Sequence, residues 1–251
     1  AIASGMDVAS GLHARLGSFP AIKAAAEEHG RTLHDLRHPT RDFGTGKGVK
    51  RPGMRALTVG MDCSIGKKYT ALAVARELEA RGVKSSFRAT GQTGVLIAER
   101  GIAIDAIVSD FIAGAAEWLS PANDPDHWDV IEGQGSLFHA AYAGVTLGLM
   151  HGSQPDALIL CHEPTRTHMR GLPHMPIPNM ADVFEPYLTL ARLTNPAVRF
   201  VGISVNTAGV APAEGDRIMG EIEQKFGLPT VDPIRQGPGR IVDALMAMSG
   251  A

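Results

Sequence analysis

Short apolar stretches alternate with segments of helical periodicity along most of the chain after Arg55. The apolar stretches have the length and composition of buried parallel strands, and they are ALTVGM, SSFRAT, HWDVIEG, DALILCHE and VRFVGISVN. Between them, apolar residues recur every three to four positions in TALAVARELEARG, AIVSDFIAGAAEWL, MADVFEPYLTLARL and GDRIMGEIEQKFG, which predicts helices. Strands that alternate with helices predict an α/β fold with a doubly wound, mostly parallel sheet that binds ligands at the carboxyl ends of its strands.

Residues 1–54 lack this alternation, and we predict that they are the end of an N-terminal domain and a linker, followed by the main α/β domain at residues 55–251. The opening letters AIASG predict the end of a strand that enters a glycine turn, and we expect a longer protein to continue before them. Residues 20–30 predict a helix with proline at its start and glycine at its end, and residues 32–36 predict a short strand. The polar stretch RHPTRDFGTGKGVKRPG predicts a flexible linker, and its GTGKG is not a phosphate site because no buried strand precedes it.

Composition and charge exclude several classes of protein. With 251 residues, of which 44% are hydrophobic, the chain can bury one sizeable core. The formal net charge of −2 gives no basic field for nucleic acid, and no run of about 18 apolar residues predicts a membrane span. Cys63 and Cys161 are too few for a disulfide scaffold, so we expect a cytoplasmic protein. We also expect a homo-oligomer whose partners are small molecules.

The segment VGMDCSIGKKYT, residues 59–70, predicts a phosphate-binding loop because it follows an apolar strand and opens a helix. Backbone N–H groups at such a turn point at an anion, and a lysine adds positive charge. Its two glycines are separated by five residues, and the alternative, a glycine-rich turn that binds nothing, ranks second. The residues expected to contact the ligand are Gly60, Asp62, Cys63, Ser64, Gly66, Lys67 and Lys68.

Lys68 stands where a nucleotide-hydrolysing loop has the Ser or Thr that ligates Mg²⁺. A lysine cannot ligate the metal and repels it, and Thr70 lies two residues further round the helix, where it points elsewhere. This favours a metal-free polyphosphate that serves only as a handle for binding. Coenzyme A carries such a handle, a 3′-phosphorylated ADP.

Two further polar segments follow predicted strands. TGQTG at residues 90–94 puts Thr90 and Gln92 at a strand's carboxyl end, where they contact the ligand or form an ordinary turn. EGQGSLFH at residues 132–139 puts Glu132 at the same edge, and its glycines allow close backbone approach. Glu132 is a candidate general base or ammonium ligand, and the alternative is a structural acid beside a helix-capping Ser136.

A third segment, CHEPTRTHMRG, follows the strand DALIL. Arginine binds a carboxylate through two parallel hydrogen bonds, which favours a dicarboxylic substrate at this end of the sheet. The side chains expected to converge on the cleft are His162, Glu163, Arg166 and Arg170.

Other polar residues receive weaker predictions. The spacing of six residues between three histidines of this region fits no compact zinc pattern, so we predict no metal at His162, His168 and His174. Asp110 and Glu117 are predicted to face solvent. Asn206 and the segment GLPTVDPIR, which ends at Arg235, resemble base-reading and closing segments of phosphate-loop proteins, but ordinary strand-end turns are the favoured interpretation.

The loop resembles the G-T-D-T-x-V-G-K-T loop of dethiobiotin synthetase, with Asp62 in the place of its third-position aspartate. An E-G-A-G-G segment of those proteins, whose Glu meets Mg²⁺, is similar to EGQGS. The succession VGMDCSIGKK, RATGQTGVLIA, DAIVSDFIAGAAE, IEGQGSLFHAAYAGVTLGLMHGSQPDALILCHEPTR and GLPTVDPIR resembles the bacterial D-glutamate N-acetyltransferase family, formerly uncharacterised and sometimes labelled NAD-dependent epimerase. The resemblance covers the chain from Ala1. It implies a sheet of the P-loop NTPase type, preceded by the remnant of a Rossmann-like N-terminal region.

That resemblance implies acetyl-CoA as the acetyl donor and D-glutamate as the acceptor, in D-amino acid catabolism. The two loop lysines then hold the CoA phosphates, although family members often have Met and Thr where this chain has Lys68 and Tyr69. The base that deprotonates the substrate amine is Glu132 or His139, with His162 third, and N–H groups of the turn from Gly133 to Ser136 are candidates for the oxyanion hole. The expected substrate-binding side chains are Gln134, Ser136, Arg166, Arg170 and Arg235.

Three alternatives stay open. An ATP-dependent ligase or kinase of the dethiobiotin synthetase type would hold Mg²⁺ with Asp62 and Glu132, although Lys68 replaces the hydroxyl that such an enzyme needs. A non-catalytic nucleotide-binding regulator would sense a ligand in the same cleft. A nicotinamide enzyme has the least support, because no G-x-G-x-x-G opens a strand–helix unit.

Overall fold

The structure, a computed structural model that describes residues 1–249, has the predicted alternation of strands and helices. In chain order the elements are β1 (Val8–Ser10), α1 (Pro20–His29), β2 (Leu33–Asp35), β3 (Met54–Gly60), α2 (Lys67–Ala80), β4 (Ser85–Arg88), α3 (Gln92–Ala98), α4 (Ile112–Leu119), β5 (Trp128–Ile131), α5 (Ala143–Ser153), β6 (Ala157–His162), β7 (His168–Met169), β8 (Leu172–Pro176), α6 (Phe184–Ala191), β9 (Arg199–Val205), α7 (Pro212–Phe226), β10 (Thr230–Val231) and α8 (Gly239–Ser249). Short turns of 3-10 helix lie between several of them.

Six strands form one parallel sheet in the order β10-β9-β6-β3-β5-β4. The chain runs from β3 to the edge strand β4, returns through β5, and then crosses to β6 on the other side of β3. This reversal makes the carboxyl end of β3 the switch point of the sheet, where open α/β sheets bind ligands. The prediction of a doubly wound parallel sheet is confirmed.

Both faces of this sheet are covered by apolar residues. Successive residues of a strand point to opposite faces, so Leu57 belongs to one core cluster with Leu149 of α5, and Ala56 belongs to the other with Val74 of α2. Full burial of one leucine side chain contributes about 1.5–3 kcal/mol. Two buried faces explain why the strands are continuous apolar stretches and not alternating patterns.

The apolar pattern does not predict the helices α3, α5 and α8 or the hairpin formed by β7 and β8. The sequence of α5 contains several glycines, which are poor helix formers, so it does not predict a helix. Two of these glycines have a packing cause: Gly148 lies against Ile112, and a Cβ at Gly152 would come within 2.1 Å of the carbonyl oxygen of Ala113 in α4. Glycine therefore lets α4 and α5 approach closely.

The N-terminal region forms a small unit in which β1 pairs in parallel with β2 and α1 connects them. The predicted helix at residues 20–30 and the strand at residues 32–36 are confirmed. The predicted strand end in AIASG is wrong, because Ile2–Ser4 form a turn of 3-10 helix that ends at Gly5. Gly5 has a φ of 80°, a left-handed conformation that closes such a turn, and the strand follows at Val8.

The linker before β3 is held against α4. Oε1 of Glu117 accepts hydrogen bonds from the N–H groups of Lys47 at 2.7 Å and Gly48 at 3.0 Å. The side chain of Glu117 is only 13% exposed, so the prediction that it faces solvent is wrong: its carboxylate binds the linker instead. Among residues 1–249, no helix combines the length and the apolar composition needed to cross a membrane.

Candidate functional site

The loop between β3 and α2 lines a cavity of about 400 Å³ at the switch point, which we call the loop cavity. Ser64 and Gly66 have φ angles of 52° and 111°, so the backbone turns sharply through left-handed conformations. Within residues 1–249 the backbone N–H groups of residues 64–68 donate no hydrogen bond, and free N–H groups at a helix N-terminus attract anions. The predicted ligand-binding residues that line this cavity are Cys63, Ser64, Gly66, Lys67, Lys68, Gln92, Glu132 and Gln134.

Lys67 is the first residue of α2, and its side chain is buried. Its Nζ donates to the carbonyl oxygen of Asp62 at 2.7 Å, and burial lowers the pKa of Lys67 below its usual value. Gly60 at the end of β3 leaves room for the ammonium, because a Cβ there would lie 3.2 Å from Nζ. An anion held by the loop would favour the charged form of this lysine.

Lys68 also lines the loop cavity, and its Nζ lies 4.3 Å from the ring centroid of Tyr69. The hydroxyl of Thr70 is bound elsewhere, 2.8 Å from Oγ of Ser204 and 3.1 Å from the carbonyl oxygen of Gly66. Thr70 does not line the loop cavity. Lys67 and Lys68 therefore bring two cationic side chains to the loop cavity at the start of α2.

Glu132 directly follows β5, lines the loop cavity and is 4% exposed. Its Oε2 accepts hydrogen bonds from the N–H groups of Thr90 at 3.0 Å and Gly91 at 3.2 Å. Its Oε1 makes no hydrogen bond within residues 1–249. Burial raises the pKa of Glu132 above its usual value, although the two N–H groups act in the opposite direction. A carboxylate with a raised pKa and one unengaged oxygen is suited to accept a proton.

Asp62 is completely buried in the middle of the loop. Its Oδ2 accepts from Nη1 of Arg166 at 2.7 Å and from the N–H of Arg170 at 2.9 Å, and its Oδ1 accepts from the N–H of Cys63 at 2.7 Å. Burial alone would raise the pKa of Asp62, but these hydrogen bonds lower it below the usual value. Possible metal-ligand atoms of Asp62, Cys63 and His139 lie within 4.8 Å of one another, yet Arg166 already neutralises the carboxylate, and we assign no metal to them.

Two further cavities adjoin the loop cavity. The apolar cavity, about 440 Å³, is lined by Ile65, Val210 and Ile234 among others, and it shares three residues with the loop cavity: Gly66, Tyr69 and Asn206. The Arg170 cavity, about 670 Å³, lies on the other side and shares five residues with the loop cavity: Cys63, Ser64, Gln92, Gln134 and Gly135. The three cavities therefore form a continuous row.

The three predicted carboxylate-binding arginines have different surroundings. Arg166 is ion-paired with Asp62, and Arg235 lines the apolar cavity and is ion-paired with Asp216. Arg170 is exposed and lines the Arg170 cavity, and its guanidinium makes no hydrogen bond or ion pair within residues 1–249. Only Arg170 of the three has a guanidinium without a protein partner in the described part of the chain.

The turn after Glu132 offers two backbone N–H groups to the cavities. The N–H of Gly133 donates to Oγ1 of Thr58 at 2.8 Å and is not available to a ligand. The N–H groups of Gln134 and Gly135 make no hydrogen bond within residues 1–249. The hydroxyl of Thr90 accepts from Nε2 of Gln134 at 3.0 Å, so Thr90 positions this turn and does not itself line the loop cavity.

Three other predicted site residues do not line any of these cavities. His139 is 1% exposed, and both ring nitrogens are engaged: Nε2 donates to the carbonyl oxygen of Arg170 at 3.0 Å and Nδ1 accepts from the N–H of Ala141 at 3.2 Å. Ser136 is fully buried and accepts a backbone N–H at 3.2 Å. His162, at the end of β6, has a pKa lowered by burial and makes no side-chain hydrogen bond within residues 1–249.

Some cavity residues carry no clear signal in the sequence. Asp232 lies in the segment GLPTVDPIR, and its Oδ2 accepts the N–H of Thr207 at 3.0 Å across the apolar cavity. His13 and Arg37 line the Arg170 cavity although they belong to the N-terminal unit. Only the tertiary structure brings these last two residues to the site.

Comparison with protein families gives two matches. Residues 42–242 match the P-loop domain of a family described as a domain of unknown function, DUF1611. Residues 1–39 match the Rossmann-like N-terminal domain of the same family. Both matches agree with the predicted P-loop fold and the predicted Rossmann-like N-terminal region.

This chain is similar to proteins from several bacteria. A protein from Tritonibacter scottomollicae named D-glutamate N-acetyltransferase is 56% identical over 248 residues, which are 99% of this chain and 74% of the relative. A protein of the same name from a Pseudoalteromonas species is 52% identical over 242 residues, which are 96% of this chain and 73% of the relative. A crystal structure of a DUF1611 family protein from Anabaena variabilis is 36% identical, with a TM-score of 0.91, and the match covers 98% of this chain and 73% of that one.

Proposed function

This chain belongs to the DUF1611 family, and we propose that it is a D-glutamate N-acetyltransferase that moves the acetyl group of acetyl-CoA to the amino group of D-glutamate. Relatives that are 56% and 52% identical over nearly the whole chain carry that name. The observation that carries the proposal is the composition of the loop cavity, which Lys67, Lys68 and Glu132 line together. A phosphate-binding loop and a candidate general base thus share one cavity.

The donor binds across the apolar cavity and the loop cavity. The free N–H groups of residues 64–68 and the two loop lysines hold the diphosphate of CoA. Its adenine occupies the apolar cavity beside Asn206 and Ile234, and its pantetheine arm extends through the loop cavity towards Glu132. Charge neutralisation by Lys68 replaces the Mg²⁺ that a nucleotide-hydrolysing loop recruits at this position.

Glu132 acts as the general base. An amino acid carries an ammonium group at neutral pH, and this group must lose a proton before it can attack. Oε1 of Glu132 takes that proton, and the neutral amine attacks the carbonyl carbon of the thioester. The carbon–nitrogen bond forms, the carbon–sulfur bond breaks, and the second amine proton goes to the departing thiolate. Glu132 then releases its proton to water.

Backbone N–H groups stabilise the negative charge that develops on the thioester oxygen. Those of Gln134 and Gly135 are free, lie next to Glu132 in the sequence and line the loop cavity. Preorganised donors of this kind typically accelerate acyl transfer by about 10²–10³-fold each. The same glycine-rich turn therefore supplies the base at one end and the oxyanion donors at the other.

The ATP-dependent alternative requires two carboxylates around Mg²⁺, Asp62 and Glu132. All the hydrogen-bonding contacts of Asp62 are directed at Arg166 and at backbone N–H groups, so this carboxylate is not available to a metal in the observed arrangement. Glu132 alone is left, and a single carboxylate beside two lysines favours a metal-free phosphate ligand.

A thiol-release assay tests the proposal. With acetyl-CoA and a panel of D- and L-amino acids, we expect CoA release with D-glutamate and no loss of rate in EDTA. Glu132→Gln removes the base, whereas Glu28→Gln changes an exposed carboxylate on α1 and serves as the matched control. Turnover that requires ATP and Mg²⁺, or no turnover with any amino acid, would contradict the proposal.

We place this reaction in D-amino acid catabolism, as the family resemblance implies, and we propose that a cytoplasmic homo-oligomer carries it out. Growth of the source bacterium on D-glutamate should then require this gene. Light scattering of the purified protein should give a mass that is a multiple of the 26.5 kDa chain.

A further inference from the structure

The Arg170 cavity is the natural place for the acceptor. It is lined partly by the turn that follows Glu132, and it shares five residues with the loop cavity. A molecule in the Arg170 cavity therefore lies against the same wall as a molecule in the loop cavity. Group transfer between two substrates requires this kind of contact, because the reacting atoms must approach to about 3–3.5 Å.

Arg170 has a fixed backbone and an unpaired side chain. Its N–H donates to Oδ2 of Asp62 at 2.9 Å, and its carbonyl oxygen accepts from Nε2 of His139 at 3.0 Å. Its guanidinium has no partner within residues 1–249. Two buried side chains thus hold the Cα position while five N–H donors stay free for a carboxylate.

The N-terminal unit supplies part of the lining of this cavity. His13 lines it directly, and Arg37 lines it while its Nε donates to the carbonyl oxygen of Gly11 at 2.8 Å and its guanidinium pairs with Asp105. Gly11 lies against Gln92, one of the shared residues, and a Cβ at Gly11 would come within 2.5 Å of Cγ of Gln92. The segment around Gly11 therefore determines where the side chain of Gln92 lies.

We propose that the Arg170 cavity binds the acceptor, that it selects an amino acid with a second carboxylate, and that the Rossmann-like N-terminal unit completes it through Gly11 and His13. This inference rests on the proposed acetyl transfer and adds the acceptor's place and orientation. The reacting amine lies at the shared wall near Glu132, so the carboxylates extend away from that wall and the distal one meets Arg170.

The orientation predicts a defined selectivity. A guanidinium that is free of protein partners binds a carboxylate through paired, charge-assisted hydrogen bonds and binds a neutral amide less well. D-Glutamate and D-glutamine have the same length and differ only in that distal group. Their ratio of kcat/KM therefore reports on Arg170 and is insensitive to a general loss of stability.

Arg170→Gln tests the carboxylate contact. We expect the KM for D-glutamate to rise roughly 10- to 100-fold, the KM for acetyl-CoA to change less than about twofold, and the preference for D-glutamate over D-glutamine to fall at least about tenfold. Arg76→Gln, an exposed arginine on α2 outside the three cavities, is the matched control. An unchanged preference in Arg170→Gln overturns the acceptor site while leaving the acetyl transfer standing.

Gly11→Ala tests the contribution of the N-terminal unit. The added methyl group must displace Gln92, so we expect the KM for D-glutamate to rise several-fold, whereas Gly17→Ala adds a methyl group where no atom lies within 4 Å. His13→Gln, a change at an exposed residue, gives a second measurement if Gly11→Ala unfolds. Normal acceptor kinetics in His13→Gln and in folded Gly11→Ala would overturn the role of this unit.

Calorimetric titration with glutarate separates failure of this inference from failure of the proposed function. If the unmodified chain releases no CoA with any amino acid, the proposed function fails. In that case, glutarate binding that disappears in Arg170→Gln but persists in Arg76→Gln still supports a cavity that binds a dicarboxylate. Absence of glutarate binding to the unmodified chain, or equal binding to both variants, overturns the inference.

Discussion

Asp62 and Arg166 form an ion pair that joins the phosphate-binding loop to the segment between β6 and β7, with Nη1 of Arg166 2.7 Å from Oδ2 of Asp62. The same oxygen accepts the N–H of Arg170. One carboxylate thus holds together the loop assigned to the donor and the hairpin assigned to the acceptor. Removal of its charge leaves Arg166 with the carboxylate of Glu163 as its remaining ion-pair partner, 3.5 Å from Nε.

Asp62→Asn should lower the free energy of unfolding by about 2–3 kcal/mol at pH 7, somewhat less than for a fully buried pair because Arg166 is partly exposed. The pKa of Asp62 is lowered in the folded protein, so its charge stabilises the fold above its ordinary pKa of about 3.9. That stabilisation is lost as the pH falls below this value. Urea denaturation at pH 7 and pH 3 should show a smaller difference between the two proteins at pH 3, and an equal difference at both would contradict the ion-pair account.

Glu132→Gln should separate activity from stability. Burial raises the pKa of Glu132 in the folded protein, so its charge opposes folding at neutral pH, and this effect fades as the pH falls through the raised pKa. The glutamine amide oxygen can still accept the N–H groups of Thr90 and Gly91. We therefore expect an equal or higher melting temperature, together with a kcat about 10²–10⁴-fold lower.

The pH dependence of kcat/KM gives a further check on the base. Because Glu132 must be deprotonated, the acidic limb of the profile should lie above the usual glutamate pKa of about 4.3. That limb should disappear in Glu132→Gln. If the acidic limb persists unchanged in the residual activity of the variant, another group is the base.

Lys68→Thr restores the hydroxyl that a nucleotide-hydrolysing loop has at this position. If Lys68 holds a CoA phosphate, the KM for acetyl-CoA should rise roughly 3- to 10-fold, and no Mg-ATP hydrolysis should appear. Lys225→Thr is the matched control, since Lys225 also lies over the ring of its neighbour, Phe226, but outside the three cavities. Gain of ATP hydrolysis by Lys68→Thr would favour the ligase or kinase alternative.

Gly133→Ala should destabilise the fold by more than about 3 kcal/mol, because the new Cβ would lie 1.6 Å from the carbonyl oxygen of Thr58 in β3. Gly220→Ala is the control: this glycine is in the interior of α7, with no atom within 4 Å of an added Cβ, and alanine should stabilise the helix by about 0.5–1 kcal/mol. Thermal unfolding of both variants measures the difference. Similar melting temperatures would show that β3 and the turn at Gly133 can separate.

The sheet and the phosphate-binding loop are predictable from sequence because their signals are local. A parallel strand covered on both faces is a continuous apolar stretch. Glu132 directly follows such a stretch, and Lys67 opens the helix after the loop that follows another. Helix α5 is not predictable in this way, because Gly148 and Gly152 are required by close packing against α4 and not by the conformation of α5 itself.

The partners of charged side chains are not predictable from sequence, because they depend on residues far along the chain. Arg166 and Arg170 belong to one short segment, yet only Arg166 of the two is ion-paired. Its partners are the neighbouring Glu163 and Asp62, and Asp62 is 104 positions away. His139 follows the glycine-rich turn as a catalytic histidine would, but backbone groups on both sides use its two ring nitrogens. The position of His13 depends on how the N-terminal unit packs.

The shared wall between the loop cavity and the Arg170 cavity limits how the substrate range of this fold can diversify. A substitution at Cys63, Gln92 or Gln134 alters both cavities at once. Better binding of a new amino acid substrate is therefore accompanied by weaker binding of the thioester. Ala141 and Val145 line only the Arg170 cavity and can vary independently. Homologues that accept a different amino acid as substrate should differ from this chain at these two positions. Laboratory variants selected for a new amino acid substrate should carry their substitutions there too.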